Sequence, residues 1–159
     1  ALGLPIAPVV ADALELPLVP GRCAGAIVAF GARNLENLDA GLREVARVLE
    51  EGGRLVILEF STPRAAIVRM AYHAYFHRIL PLVGRIVSGH PTAYRYLPQS
   101  VANFPAPEEL SRRMGESGFV NVRVTTLTLG IAAIHVGERA SSRPEVVEGA
   151  LAGAGTAAT

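Results

Sequence analysis

Two continuous apolar runs, at residues 26–30 and 54–60, flank a segment in which Leu38, Leu42, Val45 and Leu49 recur at spacings of four, three and four. That period lays these side chains along one stripe of a helix. Arg43, Glu44, Arg47 and Glu50 fall largely on the opposite face. Hydrophobicity that is continuous rather than alternating marks strands buried on both faces, as in a parallel sheet. Gly52-Gly53 supplies a helix stop before the second run. The pattern predicts a βαβ unit with a right-handed crossover, which places the helix on one sheet face and leaves the strand ends to carry a site.

Around this unit the chain reads as a mixed α/β protein. Residues 8–11 are a short strand candidate ending at Asp12, and Val19-Pro20-Gly21 marks a turn. Residues 65–87 are apolar but interrupted by Arg69, His73, His77, Arg78, Pro81 and Arg85, which argues against a transmembrane span. Two readings stay open for that stretch, a helical cover over a substrate or membrane and an ordinary helix packed on the sheet. Pro107 followed by Glu108 and Glu109 opens another helix, with Leu110 and Met114 on one face and Gly118 at its end. Residues 119–127 and 129–137 are strands joined around Thr128, with too little chain between them for a parallel crossover, so they pair antiparallel. From Ala140 onward Ser, Gly, Ala and Thr dominate, the composition of a disordered tail over 140–159.

Composition narrows the partners. With 159 residues the chain suffices for one domain with a substantial core. Its 15 basic and 14 acidic residues nearly cancel, so nothing electrostatic favours nucleic acid, and a small or apolar partner is expected. The one cysteine, Cys23, excludes an intramolecular disulfide framework and reads as a packed thiol. His73 and His77 would share a helix face, but no third ligand stands at a convincing spacing, so no metal site is expected.

Four separated motifs then point to one family. They are Asp12-Ala13-Leu14-Glu15-Leu16-Pro17, Phe30-Gly31-Ala32-Arg33-Asn34, the run from Gly52-Gly53 through Glu59-Phe60-Ser61, and Tyr94-Arg95-Tyr96-Leu97-Pro98 with Phe104-Pro105 downstream. In this order they resemble the quinone-biosynthesis C-methyltransferases of the UbiE/COQ5 type, of which demethylmenaquinone methyltransferase is one, over residues 12–137. The resemblance implies a class I S-adenosylmethionine-dependent methyltransferase fold, Rossmann-like, with a mostly parallel seven-stranded sheet. It also implies a glycine-rich cofactor loop and two strands upstream of residue 1. Residues 1–139 are therefore expected to be the carboxy-terminal part of a single methyltransferase domain, incomplete for lack of the first strands. The strand ending at Asp12 is then expected to want for a native neighbour, and the segment alone to bind S-adenosylmethionine weakly or not at all.

The chemistry so implied is methylation of a ring carbon of a demethylated quinol, which needs an aligned, electron-rich acceptor shielded from water. A hydroxyl with a pKa near ~10 needs a base or a cation to favour its anion. Arg33 lies just beyond the strand ending at Phe30, where open α/β sheets bind ligands, and a guanidinium stays charged when buried. Asn34 could orient the same hydroxyl. The resemblance places this pair on the substrate side, with Tyr94 and Tyr96 closing over the ring. A packed lid without contact is the alternative for the tyrosines. By the same resemblance Asp12 and Ala13 contact the cofactor adenine, and Ala29 and Phe30 lie on the cofactor side. Asp12 also reads as an N-cap for the turn at Leu14. His135 is either a base or, the preferred reading, a satisfied strand histidine.

The implied substrate is a lipid-tailed quinol met by a cytoplasmic enzyme lying peripherally at the inner face of the cell membrane, and a homo-oligomer stays open. The Ala, Gly and Arg bias points to a GC-rich source and leans toward menaquinone. Residues Ala24-Gly25-Ala26, Glu50-Glu51, Gln99 and Ala29 depart from the family pattern, which leaves the ring acceptor less determined than methyl transfer. A methyltransferase for another small or lipid acceptor and an inactive fragment are the competing readings.

Overall fold

Residues 7–75 and 96–141 are described in the computed structural model. In chain order they form strand β1 (Cys23–Ala29), helix α1 (Leu38–Val48), strand β2 (Leu49–Phe60), helices α2 (Ala66–Ala74), α3 (Tyr96–Asn103) and α4 (Pro107–Glu116), and strands β3 (Phe119–Leu127) and β4 (Ala132–Arg139). β1 and β2 pair in parallel across α1, with Ala26 opposite Leu55 and Val28 opposite Ile57, so the βαβ unit forms. β1 is not buried on both faces as its apolar run predicts, because it is the edge of the described sheet, and Ile27 is 78% exposed. β4 then pairs antiparallel with both β2 and β3, in the order β1-β2-β4-β3. The described residues thus supply four strands with one parallel contact, where the resemblance implies a mostly parallel sheet of seven.

Leu42 and Ala46 of α1 and Leu110 and Met114 of α4 close over Leu55 and Ile57 on one face of the sheet, with Phe119 completing the core. Residues at period two along β2 alternate between this face and the other, so Leu55, Ile57 and Glu59 are buried while Val56, Leu58 and Phe60 are half-buried. Asn37 caps α1, its side chain accepting the Ala40 N–H at 3.0 Å. α4 starts at Pro107, carries Glu108 and Glu109 in its first turn, and is followed by Gly118 at φ +97°, as its sequence predicts. A second small cluster sets Tyr72 of α2 and Val101 of α3 beside Phe60 and Ile131. This puts α2 and α3 near the C-terminal end of β2.

Three further expectations are corrected. Residues 8–11 form no strand: Val9 and Val10 are exposed, and Asp12 makes only an isolated bridge to Glu15, because no described strand offers them a ladder. α1 ends at Val48, and its C-cap Leu49 is already extended (φ −70°, ψ 143°), three residues before the glycines. Gly52 (φ +77°) instead turns the chain inside β2, and Gly53 lies against the β1 backbone, where a Cβ would meet the Cys23 carbonyl at 3.2 Å. The β3–β4 connection is also longer than one residue. Thr128, Leu129 and Gly130 all have positive φ in a tight turn, and β4 begins at Ala132.

Among the described residues no helix is long and apolar enough to cross a membrane. The tail from residue 142, His77 and Tyr94 lie outside the described residues.

Candidate functional site

β1 stops because Phe30 leaves the extended conformation. Its N–H still donates to the Leu58 carbonyl at 2.8 Å, but its φ is +53°, and the chain turns into a single 3-10 turn over Ala32–Asn34. A non-glycine residue in that region stores backbone strain, which is found most often near sites. Its ring packs against Phe60 at a centroid distance of 4.6 Å, and both Ala29 and Phe30 remain exposed at the strand end.

Arg33 turns inward from this point. Its Nη1 donates to the Phe30 carbonyl at 2.5 Å and to both carboxylate oxygens of Glu59, at 3.1 and 2.9 Å. The Arg33 main-chain N–H also reaches Glu59 Oε1 at 3.3 Å, and the Phe60 N–H reaches Oε2 at 3.1 Å. The side chains are only 6% and 2% exposed, so this is a buried ion pair rather than a surface one. The guanidinium carbon lies 5.6 Å from the Phe60 ring centroid. Arg33 Nε is buried with no acceptor among the described residues. Asn34 is exposed beside it.

A cavity of about 410 Å³ opens over this turn. Ala32, Arg33 and Glu36 line one side, and Asn103, Phe104 and Pro105 line the other. Its size falls in the range of small-molecule sites, roughly 300–1,000 Å³. Two motifs far apart in the chain, Phe30 to Asn34 and Phe104-Pro105, therefore meet in one cavity. Tyr96 is the first residue of α3, the helix whose end carries Asn103.

Asp12 heads a separate loop. Its Oδ1 accepts the Leu14 N–H at 2.8 Å and its carbonyl accepts the Glu15 N–H at 3.2 Å, so the capping role is real. One bond to one oxygen still leaves a carboxylate capacity for further donors. Asp12 and Ala13 are both exposed. The loop is anchored on α1: Leu16 N–H donates to Glu44 Oε1 at 2.7 Å, and Arg47 reaches the carbonyls of Leu16 and Leu18 at 3.0 Å each. The Arg47 hydrogen bond holds the Glu44 carboxyl below the ordinary range, with burial opposing. Gly41 of α1 lets this loop and the Arg33 turn converge, since a Cβ there would come within 2.8 Å of Leu35 Cδ1 and 3.4 Å of Leu14 Cδ2.

His135 does not join the site. Its ring is 2% exposed in mid-strand, with Nε2 at 3.0 Å from the Pro107 carbonyl. Glu59, Glu44 and Arg47 were not identified from the sequence as site residues. For Glu59 a signal exists: a carboxylate on the buried parity of an apolar strand, in phase with Leu55 and Ile57, demands a cation. Nothing in the sequence names which one.

An exposed carboxylate at Asp12 and an exposed strand end at Ala29 and Phe30 are compatible with a cofactor carrying an amine-bearing base. The sequence profile of the ubiE/COQ5 methyltransferase family matches residues 4–139. The chain is 48% identical over 139 residues to the demethylmenaquinone methyltransferase of Thermus thermophilus, covering 87% of this chain and 63% of that protein. It is 42% identical over 130 residues to the ubiquinone/menaquinone biosynthesis C-methyltransferase UbiE of Geotalea daltonii, covering 82% and 55%. The chain thus spans between half and two thirds of these relatives. Its fold is similar to that of a SAM-dependent methyltransferase of Thermotoga maritima, with a TM-score of 0.56 at 18% identity over 80% of this chain and 61% of that one.

Proposed function

The chain belongs to the ubiE/COQ5 methyltransferase family, and from that premise we propose that the protein methylates a ring carbon of a demethylated quinol, with demethylmenaquinol the favoured acceptor. S-Adenosylmethionine supplies the electrophilic methyl group. Asp12 and Ala13 are the residues to hold its adenine, and Ala29 and Phe30 the strand end against which it lies. Anchoring of the Asp12 loop by Glu44 and Arg47 keeps the two parts of that surface in register.

The cavity beside the end of β1, with Arg33 in its wall, is the observation that carries this reading. Arg33 is assigned to a hydroxyl of a quinol ring bound there; a guanidinium favours its anion and so enriches the ring carbon. Asn34 is assigned to orienting that hydroxyl, and Tyr94 and Tyr96 to covering the ring and excluding water. The apolar side chains Ile67 and Met70, 78% and 70% exposed on α2, support a path for the lipid tail and a peripheral contact with the inner face of the cell membrane.

The test is methyl transfer by the full-length protein to a short-tailed demethylmenaquinol, with cofactor affinity measured by calorimetry. Arg33→Ala is expected to lower kcat by at least about a hundredfold with cofactor Kd unchanged. Failure of the wild-type protein to bind S-adenosylmethionine would sink the reading.

A further inference from the structure

We infer that Glu59 is the positioning residue of the acceptor site, acting through Arg33 to set how much positive charge the acceptor hydroxyl meets. The inference deepens the function proposed above and rests on it. Arg33 enters the cavity wall with its charge already matched, since Nη1 lies 2.9 and 3.1 Å from the two Glu59 oxygens. The carboxylate is itself fixed from two further directions, by the Arg33 and Phe60 main-chain N–H groups. Glu59 therefore cannot swing away from Arg33 without stranding buried donors. With both side chains nearly closed to water, the field of the carboxylate reaches the cavity with little screening.

An unpaired guanidinium in such a wall would stabilise the anion of a phenol most strongly. A guanidinium paired with a carboxylate carries little net charge and stabilises that anion less, so Glu59 sets how far Arg33 shifts the acceptor toward its electron-rich anion. The other charges of the wall are Glu36 and Arg113. Arg113 is matched by Glu109 at 3.0 Å and Asp39 at 3.5 Å, and Glu59 is the carboxylate bonded to Arg33.

The experiment titrates 1-naphthol bound to the full-length protein, following the longer-wavelength absorbance of its anion and needing neither cofactor nor turnover. In Glu59→Gln the bound naphthol is expected to ionise about one pH unit lower than in wild type, because an uncompensated cation stabilises the anion. A purely structural role for Glu59 would lower Tm and leave that ionisation in place. Should Glu59→Gln fail to fold, Glu59→Asp keeps the charge but withdraws it, and a smaller shift in the same direction is expected. Identical ionisation in wild type and the folded variant overturns the inference alone. Absence of naphthol binding by wild type overturns the acceptor-site reading beneath it.

Discussion

Arg33 and Glu59 lie 26 residues apart in the chain and 2.9 Å apart in space, with both side chains more than nine-tenths buried. Removing one member strands the other charge away from water, so Arg33→Ala or Glu59→Ala is expected to cost about 3–5 kcal/mol. Replacing both together with Met and Leu should recover most of that loss, since an apolar pair of similar volume avoids desolvating two ions. Urea unfolding of the two single variants and the double variant checks the cycle.

Burial lowers the His135 pKa below its ordinary 6.5, and the Pro107 carbonyl and the Glu108 charge oppose the shift without cancelling it. The unfolded chain therefore binds the proton more readily than the folded one. Stability from this residue is whole above about pH 6.5 and is lost as pH falls toward the folded-state value. Urea midpoints between pH 7.5 and 5.5 should decline in wild type and flatten in His135→Gln, which keeps a donor for Pro107. The carboxylate at Glu109, held down to about 2 by Arg112 and Arg113, titrates in a separate, lower window.

Neighbouring glycines in β2 should respond differently. At Gly52 the φ of +77° is the whole obstacle, since a Cβ there has nothing within 4 Å, and Gly52→Ala is expected to cost about 1 kcal/mol. At Gly53 a Cβ would sit 2.8 Å from the Glu50 carbonyl and 3.3 Å from that of Ala24, all backbone. Relief requires shifting the β2 backbone at Glu50 as well as parting β2 from β1, so Gly53→Ala should cost more, toward the upper end of about 1–3 kcal/mol. Thermal unfolding ranks the two.

Arg47→Ala removes the bonds to the Leu16 and Leu18 carbonyls without touching the sheet. Hydrogen exchange should quicken at residues 12–18 and stay unchanged in β2 and β4. If the Asp12 loop holds the cofactor, its Kd rises severalfold in the full-length variant while kcat at saturation stays near wild type. Unchanged exchange in the loop would show that the anchor is dispensable.

Local rules carried most of the architecture. The α1 stripe, the Pro107-Glu108-Glu109 helix start and the antiparallel closing strands were all legible, because each depends on residues within a few turns of one another. The 8–11 strand failed because strand formation depends on a neighbour, which local pattern does not report. The helix stop failed because paired glycines announce a turn without saying which side of Leu49 the helix ends on. In the candidate site, the place of Arg33 beyond β1 was legible, whereas its partner Glu59 was hidden inside an apolar run.

The amino-acid sequence by itself determined the βαβ unit, the family motifs, the Pro107 helix and the closing strands, since period and turn chemistry act at short range. Only the tertiary structure decided that Glu59 takes Arg33 as its partner, that Phe104-Pro105 faces Ala32-Arg33 across one cavity, and that Glu44 and Arg47 hold the Asp12 loop. Those choices follow from burial. A charge or an apolar wall acquires its partner only when packing removes water and brings distant segments together.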